Sequence, residues 1–265
     1  MEICVLGSGS SGNCTYVSFG DTRVLIDAGL NYSETCKRLA VLGVPLDSIS
    51  GILFTHNHAD HCQSAGPLWR RHATPLFANE GTAISIDKKF EKNTVFKWNS
   101  FDTCSPFSIG QLQVEAFSVQ HDAADTVGFV LSTDCFRVGI ATDLGIVTPM
   151  VECKLSDCDV LILETNHDPE MLVQSKRPKK NIDRILGPRG HLSNENAADI
   201  LARLLCPRLS TVFLAHRSSD CNTLVLAERA LSSVIQKAGR DDIRLLHTYS
   251  DDLSQRIKIT AWADI

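Results

Sequence analysis

At 265 residues the chain is long enough to bury a substantial core, and its 43% hydrophobic and 22% charged content is that of an ordinary globular protein. No stretch approaches the ~20 apolar residues a helix needs to cross a bilayer. The formal net charge of −5 excludes a global pull toward nucleic acid, so any polyanion-binding face has to be local. The sequence opens directly on a strand pattern with no basic-then-apolar export signal, and its ten scattered cysteines form no Cys-x-x-Cys pair. Both features predict a cytoplasmic protein with reduced thiols and no membrane partner.

In chain order, residues 3–6, 15–19 and 24–26 read as strands. Between the first two lies Gly7-Ser8-Gly9-Ser10-Ser11-Gly12-Asn13, a loop whose N–H groups either cradle an anion or simply turn the chain. No Lys-Ser/Thr pair follows it, which excludes a P-loop. Asp27 ends the third strand, where a carboxylate caps the turn or orients a neighbouring ligand. Ser33 is the expected N-cap of a helix carrying Cys36, Leu39 and Ala40 and ending near Gly43.

Residues 51–55 form a buried apolar strand, and at its exit stands His56-Asn57-His58-Ala59-Asp60-His61. Three imidazoles and a carboxylate in six residues are hard to pack without a partner, and one divalent cation partners them together. On an extended segment His56 and His58 project to the same side and can chelate one ion. Asp60 and His61 follow a turn later, in position for a second. Cys62 is close, but its neighbours already supply enough donors.

Farther on, helices at 63–72 and 80–90 flank a strand at 76–78, and strands follow at 94–98, 112–119, 126–133 and 136–142. Strands at 159–164, 210–215 and 243–249 alternate with helices, one capped by Ser193 and one spanning 223–238 before Gly239. Segment 166–190 lacks periodicity and reads as a lid or binding element. Two runs of strands followed by helices, with no linker composition, predict one domain, 1–265, of two packed sheets with helices outside. His121, Asp143 and His216 each terminate an apolar strand, where ligands from several strand ends can converge on one sheet edge. His72 and His247 lack that setting and read as ordinary surface or core residues.

This order of residues resembles the metallo-β-lactamase superfamily. The resemblance implies an α/β fold, the αββα sandwich of two mixed sheets flanked by helices, and a centre of two divalent ions, Zn2+ or Mn2+. It places His56, His58 and His121 on one ion, Asp60, His61 and His216 on the other, and Asp143 between them. Asp27 would support the histidines from behind, and Asp60 would also help orient the attacking hydroxide. Bound water loses its proton near neutrality, so no nucleophilic Ser or Cys is needed.

Three later stretches bear on substrate. Glu164-Thr165-Asn166-His167-Asp168 ends a strand in polar groups. From Lys176 to Arg189 six cations face one carboxylate, Asp183, a local reversal of the chain's charge. Arg189-Gly190-His191-Leu192-Ser193-Asn194 puts a histidine just before a helix N-terminus, a natural position for an anion. With the glycine-rich opening, these stretches resemble the YycJ/WalJ-like subgroup of bacterial DNA exonucleases. That resemblance implies a 5′→3′ exonuclease whose nucleophile is a metal-bridging hydroxide. His191 would act on the scissile phosphate or leaving oxygen, with His167 assisting, and Lys179, Lys180, Arg184, Arg189, Ser193 and Asn194 would hold phosphate. The chain departs from the subgroup at Arg217, where an apolar residue is usual. Two other readings stand beside this one: a hydrolase of a small phosphodiester or thioester, and a metal-stabilised regulatory module without catalysis.

Overall fold

The computed structural model describes residues 1–90, 92 and 94–260. Among these residues the strands fall into two seven-stranded sheets. In spatial order the first holds β14 (Ile257–Lys258), β1 (Glu2–Gly7), β2 (Cys14–Phe19), β3 (Thr22–Ile26), β4 (Gly51–Leu53), β5 (Leu76–Ala78) and β6 (Trp98–Ser100). The second holds β13 (Arg244–His247), β12 (Thr211–Ala215), β11 (Val160–Glu164), β10 (Arg137–Ala141), β9 (Val127–Ser132), β8 (Leu112–Ser118) and β7 (Phe107–Ile109). Each sheet is mixed. β14 to β3 and β7 to β10 pair antiparallel, whereas β3 to β6 and β10 to β13 pair parallel.

Side-chain patterning explains this arrangement. In β8, Leu112, Val114 and Ala116 are buried while Gln113 is exposed, the alternation of a strand with one open face. The parallel strands β11 (Val-Leu-Ile-Leu-Glu) and β12 (Thr-Val-Phe-Leu-Ala) are buried at every position, because both of their faces are covered. Val5, Val17, Ile26 and Leu53 from one sheet meet Val114, Phe129, Ile140 and Phe213 from the other in the central layer. Outside the first sheet, α1 (Tyr32–Val41), α3 (Ala65–His72) and α4 (Glu80–Phe90) deliver Leu39, Leu68 and Ile86. Outside the second, α5 (Pro149–Leu155), α8 (Asn194–Leu204) and α9 (Leu224–Lys237) deliver Val151, Leu201 and Leu231. Each fully buried side chain of this size contributes roughly 1.5–3 kcal/mol. The result is the expected αββα sandwich.

Several local expectations need correction. The cap of α1 is Asn31, whose side chain accepts from Glu34 N at 2.9 Å, and Ser33 lies inside the helix. β6 begins at Trp98 and not at 94; Phe96 is buried by packing on Phe90 and Trp98, so its apolarity does not mark a ladder position. The segment 166–190 contains two helices, α6 (Pro169–Gln174) and α7 (Lys179–Leu186). α6 is too short for a clear apolar period, whereas α7 sets Ile182, Ile185 and Leu186 at helical spacing among charged residues. No helix among the described residues is long and apolar enough to span a membrane.

The strands β3, β4, β8, β10, β11 and β12 end on one edge of the sandwich, the usual location of ligands in sheets of this kind. Asp27, Asp143 and His216 follow β3, β10 and β12, and their φ values of 63°, 58° and 53° are left-handed. Non-glycine residues hold such conformations only where the surroundings over-determine them, and they concentrate at functional sites.

Candidate metal centre

β4 delivers the histidine cluster. Phe54 is anchored to the neighbouring strand through Phe77 O, and after His58 the chain turns into α2 (Ala59–Cys62). This switch from extended chain to helix separates His56 and His58 from Asp60 and His61. Gly29 lets the β3 exit press against α2: a Cβ there would lie 1.6 Å from Asp60 O, so no larger residue fits.

Among the described residues the ligand atoms gather into four overlapping groups, each within 4.8 Å: His56, His58 and His121; Asp60, His61 and His216; His56, His61 and Asp143 between them; and Asp143, Glu164, His191 and His216 at one side. Four of the imidazoles give one nitrogen to a supporting group and leave the other facing the cluster. Nδ1 of His61 lies 2.7 Å from Asp27 Oδ2, and Nδ1 of His216 lies 2.8 Å from Glu164 Oε1. Nδ1 of His56 meets Thr55 Oγ1 at 3.0 Å, and Nδ1 of His121 donates to Gly190 O at 3.1 Å. His58 Nδ1 stands 3.3 Å from His121 Nε2. Such supports fix the ring orientation and tautomer of a ligating histidine.

The inward-facing atoms are short of partners. His56 Nε2, Asp143 Oδ2 and His216 Nε2 are buried without a hydrogen bond, although Asp143 Oδ2 lies only 3.1 Å from His61 Nε2. Buried polar atoms are rarely left this way, and a cation accepting all of them removes the penalty. Charge tells the same story. Burial alone would lower His61, but the Asp143 and Asp27 carboxylates push it up to about 10. Burial would raise Asp143, but the His216 and His61 imidazoles hold it well below the usual carboxylate range. Burial and the neighbouring His61 charge push His56 well below its usual value, so this ring is neutral and ready to ligate. Protons thus balance the buried carboxylates, and divalent cations would displace those protons. The residues fit such ions.

Three partners escaped the sequence reading. Asn13, from the glycine-rich loop, places Nδ2 2.9 Å from His61 Nε2 and 3.3 Å from Asp60 Oδ2, while its Oδ1 accepts from Gly9 N at 2.8 Å. The loop's Ser8, Gly9, Gly12 and Asn13 N–H groups all have internal acceptors, so it is chiefly a tight connection. Glu164 is fully buried. Its Oε1 takes both His216 and His191, and its Oε2 accepts the N–H groups of Leu144 and Leu192 at 3.1 and 3.0 Å. Burial would raise this carboxyl, yet the His191 and His216 rings bring it down to about 2. Asp122 places Oδ1 3.3 Å from His121 Nε2. Only a strand-end position hinted at Glu164, and nothing local marked Asn13 or Asp122.

The downstream residues divide. His191 Nδ1 bonds Glu164 Oε1 at 2.9 Å and lies 3.7 Å from Asp143 Oδ1, so it sits at the rim of the centre. Lys179, Lys180 and Arg189 are exposed and have no ion pair among the described residues, whereas Arg184 grips Asp122 through Nε and through Nη2 at 2.9 Å. The side chains of Ser193 and Asn194 are engaged within the chain. Ser193 Oγ accepts from Asn196 N as the cap of α8, and Asn194 pairs with Asn222 at 2.9 and 2.8 Å, both side chains being buried. His167 is 1% exposed and neither ring nitrogen has a partner; burial pulls it down to about 4. His72 bonds Tyr32 and Asp47, and His247 bonds Glu228, away from the centre.

A sequence profile of the beta-lactamase superfamily domain matches residues 22–216, a span that reaches from β3 to the His216 strand end. The chain belongs to the metallo-β-lactamase superfamily. Within it, the chain is 31% identical to exodeoxyribonuclease YycJ of Bacillus anthracis over 239 residues, covering 90% of each chain. It is also 31% identical to exodeoxyribonuclease WalJ of Streptococcus pneumoniae over 236 residues, covering 88% of each. Among solved structures, the metallo-β-lactamase fold protein YhfI from Bacillus subtilis superposes with a TM-score of 0.71 at 15% identity, covering 95% of this chain and 98% of that one. Human tRNase Z, short form, superposes with a TM-score of 0.67 at 17% identity, covering 98% and 100%. At those identities the structural neighbours speak to the fold. This metallo-β-lactamase chain is therefore a hydrolase of the superfamily, with donor groups for divalent metal on its sheet edge.

Proposed function

We propose that this chain is a cytoplasmic, two-metal phosphodiesterase that degrades DNA from the 5′ end. The observation that carries the reading is the Glu164–His191 pair beside Asp143. It provides a supported imidazole at the edge of the ligand cluster, on a segment tied to the last turn of α7 by His191 N donating to Ile185 O at 3.0 Å. The similarity to YycJ and WalJ supports the choice of substrate.

In this reading His56, His58 and His121 hold one Zn2+ or Mn2+, Asp60, His61 and His216 hold the other, and Asp143 is shared. Ions bound there supply Lewis acidity toward water and toward a phosphoryl oxygen. Every other role falls to the chain. Asp27 fixes the His61 ring and Glu164 the His216 ring. Glu164 also fixes His191, whose Nε2 is left to contact the phosphate or protonate the departing oxygen. His167 is fully covered and neither ring nitrogen has a partner, so no step is assigned to it. Lys179, Lys180 and Arg189 hold the phosphate backbone, and Arg184 joins them when it releases Asp122.

The test offers Mn2+-loaded protein end-labelled duplex DNA and, separately, bis(p-nitrophenyl) phosphate. Progressive shortening of the DNA from its 5′ end is expected. DNA left intact at low salt while the small diester turns over would replace this reading with that of a small-molecule phosphodiesterase.

A further inference from the structure

Of the imidazoles assigned to the two ions, all but one are anchored through their second nitrogen. His58 is the exception. Its Nδ1 turns to the cluster, 3.3 Å from His121 Nε2, and its Nε2 has no hydrogen-bond partner among the described residues. An imidazole that gives Nδ1 to an ion carries its hydrogen on Nε2. Ligating histidines almost always pass that hydrogen to a carboxylate, a carbonyl or water, which fixes the ring.

One carboxylate is within reach. Asp122 Oδ1 lies 3.9 Å from His58 Nε2 and 3.3 Å from His121 Nε2. The shorter contact offers it no lasting donor: His121 gives Nδ1 to Gly190 O, so Nε2 is its ligand atom and carries no hydrogen once an ion is bound. Among the described residues Asp122 belongs to none of the donor groups. His58 Nε2–H is therefore the imidazole hydrogen left for it. The two side chains are each 32% exposed, so a small rotation turns 3.9 Å into a hydrogen bond without disturbing the core. Hydrogen bonds at such sites commonly tighten when the bound species arrives. Asp122 is also held from the other side. Arg184 of α7 grips it through Nε and through Nη2 at 2.9 Å, and this guanidinium keeps its carboxyl below the usual carboxylate range, so Asp122 is an anion.

We propose that Asp122 is the positioning residue of His58, and that Arg184 holds it in place in the DNA-free protein. The ion at His56, His58 and His121 is thereby tied to α7. This rests on the metal assignment above and gives Arg184 a task before any DNA is bound.

The experiment titrates Zn2+ into the stripped full chain by calorimetry and records imidazole 1H–15N spectra of the loaded protein, with no DNA present. Asp122→Ala should weaken one of the two ions about 10–100-fold. In wild type the His58 Nε2–H signal should be protected from solvent exchange. In Asp122→Ala that signal should be lost while the Nδ1–H signals of His61 and His121 remain, a pattern that a general loss of packing would not produce. Asp122→Asn, which keeps an acceptor and drops the charge, should fall between wild type and Asp122→Ala in affinity. Arg184→Ala should weaken the same ion about three-fold and add nothing to Asp122→Ala. Unchanged Zn2+ affinity in Asp122→Ala would overturn the proposal. So would a loss of affinity with the His58 signal intact, which would make Asp122 a direct ligand. If the wild type takes up no Zn2+, the metal assignment itself fails and the proposal with it, a result distinct from the other two.

Discussion

At the scale of single residues, the centre is built from pairs. Each of His56, His61, His121 and His216 has one nitrogen anchored, to Thr55, Asp27, Gly190 and Glu164 respectively, and the other turned to the cluster. Asn13 Nδ2 donates to Asp60 Oδ2 and, in the metal-free protein, also occupies His61 Nε2, which an ion would take; Asn13→Ala should therefore reduce metal affinity about 10–100-fold through Asp60 while the fold persists, as measured by calorimetric titration of metal into stripped protein. Unaltered affinity would reduce Asn13 to a loop anchor. His191 is anchored to Glu164 and shares a donor group with Asp143, Glu164 and His216, apart from the two triads proposed to hold the ions. His191→Ala should cut kcat on DNA by about 10²–10⁴-fold with metal content unchanged. Loss of an ion in that variant would make His191 a ligand, a role its distance of 3.7 Å from Asp143 Oδ1 permits.

At the scale of elements, the proposed grip on DNA rests on α7. It turns Ile185 into the protein and its lysines outward, and it is pinned to the centre through Arg184 and Asp122. Replacing Lys179 and Lys180 with Ala should weaken DNA binding and flatten its salt dependence by about two phosphate contacts, read from log Kd against log salt. An unchanged slope would return α7 to the role of a solvated charged face. The element scale also shows what the sequence conceals. The strands carrying the centre were legible because each is an apolar run that gives way to polar residues at its end, around Asp27, His56, His121, Asp143, Glu164 and His216. α6 was not legible because a helix of six residues has too few turns to show an apolar period, and α7 was overlooked although Ile182, Ile185 and Leu186 recur at helical spacing between its charged residues. Ser193 and Asn194 looked available because they open a helix, yet capping and the Asn194–Asn222 pair already engage them. Asn13 was hidden by distance: its partners lie 47 and 48 residues away, joined only when Gly29 lets the two loops touch.

At the scale of the molecule, the two mixed sheets bring ligands from both halves of the chain to one edge. His56, His58, Asp60 and His61 come from the first sheet, and His121, Asp143 and His216 from the second. The centre therefore spans the sandwich, and neither sheet carries a complete ligand set. In the proposed reading, a chain of net charge −5 handles a polyanion because cations would neutralise its acidic groups at this edge, while α7, tied to the edge through Arg184 and Asp122, carries exposed lysines. The most direct test of the account is a titration of metal-free protein with Mn2+ or Zn2+, following degradation of end-labelled duplex DNA at each equivalent. The account predicts no cleavage without metal and a rise that levels off at two ions per chain. Cleavage that levels off at one ion, or that proceeds in the stripped protein, would contradict it.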